Sequence, residues 1–389
     1  MKRVLIEFYS GRTPENLISL LKQRYDEILF YVFKGKNAPT EKDKKHLSDV
    51  VEEILGIRPQ FRYIGKVDIS SVVNSFPRLL PDVEYEVDIT GGNESFIAAA
   101  GIWQEREKQG KIFLHQYDIQ KGLLLHRYPA SAEKENSFPY YLTVPQLLAL
   151  SGTPPLLAPQ YNFSYGPLRN EILRLWSAVK PCLKDWNTFC SLQSRNSSVK
   201  EKRIDQKPSH QDVFFRVYRR LKEAKIAGNE RRITDGGKIY MLFDLFVDRD
   251  AVFLYDKAGT LLEMYAALAA FEADVFHDIR VGVTLDWNGV PSPGWEPDPR
   301  NEVDLILMHE NLPILASCKN TEPSNEFLYE IMTMSRHYGG FFSTPMLFSS
   351  RVATSSVRQR AKEMDIILID GIARMDFQRF TQRIRKHFQ

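Results

Sequence analysis

The sequence predicts an α/β protein with a parallel-rich N-terminal sheet, a helical connector and a second α/β unit at the C-terminus. Three observations carry that expectation. Over the first 130 or so residues, short apolar runs alternate with helical patterns, as in a parallel, doubly wound sheet. From about residue 140 to 235 the chain is mostly helical or polar. From Gly236 onward strand-like runs return, two of them spaced to form a hairpin.

Taken in order, residues 4–9 are an apolar first strand. Thr13-Pro14 opens a helix, with threonine as N-cap and proline in the first turn. Leu17, Leu20 and Leu21 give that helix its buried face. Residues 28–33 form the next strand, 49–55 belong to a second helix and 61–64 are a short strand. Residues 85–89 are a further strand, followed by a Gly-rich turn and a helix over 94–106; residues 112–117 close the series. In the connector, 147–150 and 168–179 read as helices, and 194–210, rich in Ser, Lys and Arg, reads as a linker. Residues 214–225, with Arg216, Arg219, Arg220 and Lys222, form a basic amphipathic helix, either a solvated face or a contact for nucleic acid. The expected division is 1–140, 141–235 and 236–389.

At 389 residues the chain is long for one domain. Its net charge of +3 gives no global nucleic-acid signature, though a local basic groove remains open. Three cysteines, Cys182, Cys190 and Cys318, have no regular spacing, which argues against a disulfide framework or a zinc site. The N-terminus reads as a strand and not as a signal peptide, and no apolar run approaches membrane-spanning length. A soluble, cytoplasmic protein is expected.

Two loops suit a ligand. One follows the first strand and carries Ser10, Gly11, Arg12, Thr13 and Asn16; the other carries Thr90, Gly91, Gly92 and Asn93. In doubly wound sheets ligands bind beyond the carboxyl ends of the strands, where the strand order reverses. Glycines permit close approach to the backbone, and helix N-termini favour anions. Neither loop is a GxGxxG fingerprint or a P-loop, which disfavours a nicotinamide enzyme and a P-loop NTPase.

The most informative cluster is Asn301-Glu302-Val303-Asp304-Leu305-Ile306-Leu307-Met308, a polar turn, then Ile314-Leu315-Ala316-Ser317-Cys318-Lys319-Asn320. Ser317 and Lys319 share one strand face and Cys318 takes the other. Asp304 meets Lys319 if it lies opposite residue 317 or 319, and a slip of one residue separates them. A carboxylate and an ammonium inside apolar strands are costly unless paired or metal-bound. After the hairpin, Glu326 and Glu330 begin a helix and share one of its faces. Upstream, Thr260-Leu261-Leu262-Glu263 fits a capping box, so Glu263 either caps a helix or faces inward with its apolar neighbours.

The order of these parts resembles the CRISPR ancillary nucleases of the Card/Can type. The strand followed by Asp88-Ile89-Thr90-Gly91-Gly92-Asn93 is similar to their CARF (CRISPR-associated Rossmann fold) domain. The hairpin region is similar to their PD-(D/E)XK, restriction-endonuclease-like domain. The resemblance implies a homodimer that binds cyclic oligoadenylate, cyclic tetra-adenylate (cA4) first among the ring sizes. It also implies a metal-dependent endonuclease using Mn2+ or Mg2+ that nicks DNA or cuts it single-stranded, with RNA as a further candidate. One departure stands out: the family's acid-x-Lys is Ser317-Cys318-Lys319 here. Some restriction endonucleases supply the missing acid from the next helix, which points to Glu330 first and Glu326 second. The site so implied has Asp304 and Glu330 as metal ligands, with the Cys318 carbonyl completing the set. Glu263 binds a second metal or orients a metal-bound water, and Lys319 positions the nucleophile or stabilises developing charge. The alternative is a cyclic-oligonucleotide-sensing regulator whose nuclease domain has degenerated.

Overall fold

The structure, a computed structural model, describes residues 1–9, 11, 15–21, 24–35, 38–106, 111–118, 123–128, 134–135, 140–152, 155–192, 200–205, 211–286 and 300–389. Ser10, Arg12 and Thr13 lie outside the described residues.

The first sheet contains β1 (Lys2–Phe8), β2 (Glu27–Phe33), β3 (Gln60–Ile64), β4 (Val83–Asp88), β5 (Ile112–Asp118), β6 (Leu123–Tyr128) and β7 (Lys134–Glu135). Its order is β3-β2-β1-β4-β5-β6-β7. The first five strands are mutually parallel, and β6 and β7 add antiparallel at one edge. The sheet therefore continues past residue 117, where the sequence pattern had closed it. The helices among these strands are α1 (Glu15–Ile18), α2 (Glu41–Leu55), α3 (Ile69–Ser75) and α4 (Glu94–Arg106). Thr40 and Asp43 form a capping box that starts α2 well before residue 49. Nothing in the sequence reading foresaw α3, although Asp68 caps it by accepting the Ser71 N–H at 2.8 Å.

The two faces of this sheet have different partners. Val4, Ile6, Leu29 and Val87 pack with Val72 of α3 and with Phe96 and Trp103 of α4. Leu5, Ile28 and Phe30 face the other way, against Leu17, Leu20 and Leu21, the face expected of the first helix. That second layer does not stop at the sheet. The same apolar cluster runs on through α5 (Val144–Leu150) to Val283, Ile306, Leu315, Leu328 and Tyr338 of the C-terminal part.

The connector contains β8 (Pro155–Leu157), α6 (Gly166–Val179), α7 (Leu183–Ser191), β9 (Glu201–Asp205), α8 (Gln211–Glu223), β10 (Ala227–Asp235) and β11 (Lys238–Leu245). The presumed linker thus contains a strand: β9 pairs antiparallel with β11, giving a three-stranded sheet ordered β10-β11-β9. Alternating burial along β9, with Lys202 and Ile204 inward, is the period-2 signal that its polar composition hid.

The C-terminal elements are α9 (Ala258–Ala273), β12 (Asp278–Asp286), β13 (Arg300–His309), β14 (Leu312–Lys319), α10 (Asn325–Gly339), β15 (Thr344–Ser349), α11 (Ser355–Glu363), β16 (Ile367–Ile369) and α12 (Phe377–Arg385). Their sheet is ordered β16-β15-β14-β13-β12-β8, so the connector contributes one edge strand. Its second face packs on α9, whose central run, residues 264–271, is apolar and whose acids are Glu263 near its start and Glu272 at its end. Among the described residues no helix is long and apolar enough to cross a membrane.

Candidate active site and ligand loops

The hairpin β13–β14 sets the geometry. Leu305 pairs with Ala316 and His309 with Leu312, so the ladder, continued one residue, brings Asp304 against Ser317. This is the in-phase register, and Asp304 shares a face with Lys319. The Cys318 N–H donates to Asp304 Oδ2 at 2.6 Å and the Ser317 hydroxyl to the same oxygen at 3.1 Å. Serine at this position thus orients the acid across the ladder. Burial pushes the Asp304 carboxyl up, and Glu302 adds to that; the Cys318 amide, Lys319 and Ser317 oppose it. Cys318 turns its side chain into the core beside α9, with its thiol pushed up by burial, as an apolar filler.

Glu263 approaches from α9. That helix begins at Ala258 with Lys257 as N-cap, so Glu263 lies inside the helix and is not the capping-box acid that Thr260 suggested. Its carboxyl is pushed up to about 8, by burial first and then by Asp304 and Glu302, with Lys257 and Lys319 opposing. The carboxylate reaches back over Gly259, where a Cβ would lie 2.7 Å from Oε1. Glycine at 259 leaves that space open, a requirement with no sequence signal beyond the residue itself.

Lys319 is partly buried, with Nζ 4.9 Å from the centre of the Phe327 ring and 3.5 Å from Glu330 Oε2. Glu330 therefore stands with the ammonium, and its side chain is 56% exposed. Glu326 is exposed. The acid overlooked by the sequence reading is Glu302. It sits two residues before Asp304 on the same strand face, and the ladder sets it opposite Lys319. The Glu302-Val303-Asp304 alternation was the available signal. Glu302, Asp304, Ser317, Lys319, Glu330 and Met334 line a cleft of about 30 Å³, room for an ion or a water or two.

Among the described residues, no three Asp, Glu, His or Cys side chains are gathered tightly enough to hold a metal ion. The donor chemistry still fits a hard divalent cation. Glu263, Asp304 and Glu302 are oxygen donors; Asp304 and Glu302 raise the proton affinity of Glu263, and Glu302 raises that of Asp304, and a cation among them would relieve that repulsion.

At the other sheet, the strand order reverses between β1 and β4, so both suspected loops flank the switch point. The second loop lies against the end of β1: a Cβ on Gly92, whose φ is +96°, would meet the Phe8 ring at 3.0 Å. The buried Asn16 donates its side-chain N–H to the Gly11 carbonyl at 2.7 Å, and Gly11 has φ +103°. Thr90 donates its hydroxyl to Asp88 and accepts the Tyr117 N–H at 2.7 Å. Asn93 Oδ1 accepts the Phe96 N–H at 3.1 Å, capping α4. These side chains shape the loop and leave the half-exposed Gly91-Gly92 backbone as its open surface.

The fold defines a class: a switch-point sheet joined through a shared core to a second sheet that carries an acid–lysine hairpin. Solved structures share the overall fold. Protein VC1899 from Vibrio cholerae superimposes with a TM-score of 0.72 at 16% identity, covering 99% of this chain and 98% of that one. Can2 from Sulfobacillus thermosulfidooxidans, in complex with cyclic tetra-adenylate, gives 0.63 at 14% identity, covering 100% and 99%. A type III CRISPR defence DNA nuclease activated by cyclic oligoadenylate gives 0.50 at 16% identity; the match covers 91% of this chain and 46% of that larger one. No protein-family profile and no curated protein matches the sequence.

Proposed function

We propose that this chain is a cyclic-oligoadenylate-activated, metal-dependent endonuclease of type III CRISPR defence, acting in the cytoplasm as a homodimer. The single observation that carries the reading is the cleft in which Asp304, Glu302 and Lys319 share one face of the hairpin, with the partly buried Glu263 within electrostatic reach of both acids. The likeness to Can2 and to the CRISPR defence nuclease supports it. The substrate is DNA, nicked as a duplex or cut as a single strand, with RNA a second candidate.

Asp304 and Glu263, joined by Glu302 or Glu330, would hold Mn2+ or Mg2+; Glu302 is favoured because Glu330 is engaged with Lys319. A bound divalent cation lowers the pKa of its water and neutralises the phosphate. Lys319 meets the charge that develops on the phosphate. Glu263 would hold that cation or a second one, or orient the attacking water. Activation begins at the loops beside Phe8 and Gly92. A two-fold symmetric cyclic tetra-adenylate suits a site shared by two identical copies, and it activates only by favouring the cutting arrangement over the resting one.

The test is cleavage of single-stranded, duplex and supercoiled DNA and of RNA, with and without cyclic tetra-adenylate, in Mn2+, Mg2+ or EDTA. Cutting is expected to need both activator and metal. Lys319→Ala is expected to abolish cutting and to keep cyclic tetra-adenylate binding. Full activity in EDTA, or in Lys319→Ala, refutes the assignment. A second reading, a sensor with a degenerate nuclease, draws on Ser317 and on the absence of three gathered metal-binding groups among the described residues. It predicts binding of the activator with no cutting under any condition.

A further inference from the structure

The small sheet of the connector has a charge out of keeping with the rest of the chain. Residues 200–245 hold twelve Lys and Arg against seven Asp and Glu, a net +5. The whole chain is only +3, so everything outside this segment sums to −2. The excess is also ordered in space. Along α8, Phe215, Arg216, Arg219 and Lys222 fall on one side of the helix at spacings of one, four and seven residues from Phe215. With Glu230 of β10 and Met241 of β11 they line a groove of about 390 Å³.

Two details separate this groove from an ordinary solvated helix face. Phe215 is 54% exposed although the helix already buries Phe214, Val217, Tyr218 and Leu221 in its core. Its ring meets the edge of Phe214 at 5.3 Å between centroids and leaves the rest of its surface open among the cations. The cations themselves are tied only at the surface: Arg216 to Asp185 at 2.8 Å, Lys222 to Glu230 at 2.5 Å and Arg219 to Glu223 at 4.0 Å. Exposed pairs of that kind are weak and exchange readily for another anion. Arg232, exposed and directly opposite Met241 on the β10–β11 ladder, adds a cation on the same sheet face.

We propose that this groove is a binding surface for single-stranded nucleic acid, separate from the cleft. Phe215 is the stacking platform, and Arg216, Arg219 and Lys222 follow the backbone phosphates. An exposed ring flanked by guanidinium groups suits unpaired bases, whose faces are free; a duplex hides them. The inference rests on the nuclease reading in one respect only, that the bound strand is substrate for the cleft. One helix, α7, touches both the groove and the end of β14. Arg216 pairs with Asp185 of α7, and Asn187 of the same helix accepts a hydrogen bond from Asn320, the residue after Lys319, at 3.5 Å.

The experiment is fluorescence anisotropy with a 5′-fluorescein oligo(dT) 20-mer and its duplex with oligo(dA), in EDTA, with and without cyclic tetra-adenylate, from 50 to 200 mM KCl. The expected result is tighter binding of the single strand. Phe215→Ala, which removes an exposed ring that touches the core only at the edge of Phe214, should weaken single-strand binding by about fivefold or more, with thermal unfolding close to wild type. Arg219→Ala should lower the slope of log affinity against log salt by about 0.7. Equal affinity of both variants and the wild type for the single strand overturns the proposal. So does duplex binding at least as tight as single-strand binding, or a change of oligomeric state in Phe215→Ala without loss of affinity. Because EDTA removes cutting from the measurement, a strand that binds as expected but is never cleaved when Mn2+ is added leaves this surface standing and removes the nuclease reading.

Discussion

Glu263 offers the sharpest physical test. Its carboxyl is pushed up to about 8 from an ordinary 4.5, by burial and by the facing Asp304 and Glu302. Folding thus favours its protonated form. Below about pH 4.5 the group is uncharged in both the folded and unfolded states and costs nothing. As the pH rises the unfolded chain ionises freely while the folded one resists, and stability falls until about pH 8, where both are charged. At about 1.4 kcal/mol for each pKa unit, the loss across that window is on the order of 5 kcal/mol. Asp304 is raised as well and adds a loss of the same sign. Glu263→Gln keeps the shape and removes the charge. Urea unfolding of wild type and variant in EDTA, at pH 5, 6, 7, 8 and 9, should give similar stability at pH 5 and a variant several kcal/mol more stable at pH 8. Mn2+ should reverse the order at pH 8, because ionised carboxylates bind the cation only in the folded wild type. Parallel stability–pH curves for the two proteins in EDTA refute the argument, since they leave no buried, mutually repelled carboxyl at 263.

Two further tests concern the acids and the loop. If Glu302 supplies the carboxylate that Ser317 lacks, Glu302→Gln should weaken Mn2+ activation at least tenfold; Glu330→Gln should chiefly loosen Lys319 and leave the Mn2+ midpoint nearly unchanged. Titration of cutting against Mn2+ reports both, and the opposite ranking assigns the role to α10. Gly92→Ala forces a side chain into φ +96° and against the Phe8 ring. It should cost about 1–3 kcal/mol in thermal unfolding and weaken cyclic tetra-adenylate binding by calorimetry.

What the sequence disclosed, and what it hid, follows from the range of the interactions. The hairpin was legible because its two strands are adjacent in the chain, and period-2 alternation fixes which residues share a face. Asp304, Ser317 and Lys319 could be brought together on paper. The switch-point loops were legible for the same reason, as glycine-rich turns between a strand and a helix. Glu302 was missed although it lies within that pattern, because attention went to the one acid flanked on both sides by apolar residues. Glu263 shows a different limit: its four-residue pattern matched a local cap, and only the packing of the apolar helix from Ala258 onward turned it toward Asp304. The strand at Glu201–Asp205 was hidden because its inward positions include Lys202, whose ammonium is paired to Asp256 at 2.6 Å. A polar residue whose burial depends on a distant partner carries no local signature.

The two functional regions are not independent bodies joined by a tether, and that has a testable consequence. Thr90, in the ligand loop, holds the backbone of Tyr117. The Tyr117 ring meets the edge of Phe342 at 6.4 Å between centroids. Phe342 follows directly after α10, the helix that presents Glu330 to Lys319, and is 6% exposed in the cluster that both sheets share. From the other side, Asn311 in the turn between β13 and β14 accepts the Leu142 N–H at 2.7 Å, just after the first sheet ends. A ligand that shifts the Thr90 loop must therefore move or strain packed groups reaching the cleft, because close-packed interiors transmit displacement. Phe342→Leu keeps the site apolar and removes the ring edge. It should lower the ratio of cutting with and without cyclic tetra-adenylate by about fivefold or more, while activator affinity and the dependence on Mn2+ change little. An unchanged ratio, measured with the activator saturating, excludes this contact as the carrier and leaves the route through Leu142 and Asn311, which Asn311→Ala then tests in the same assay.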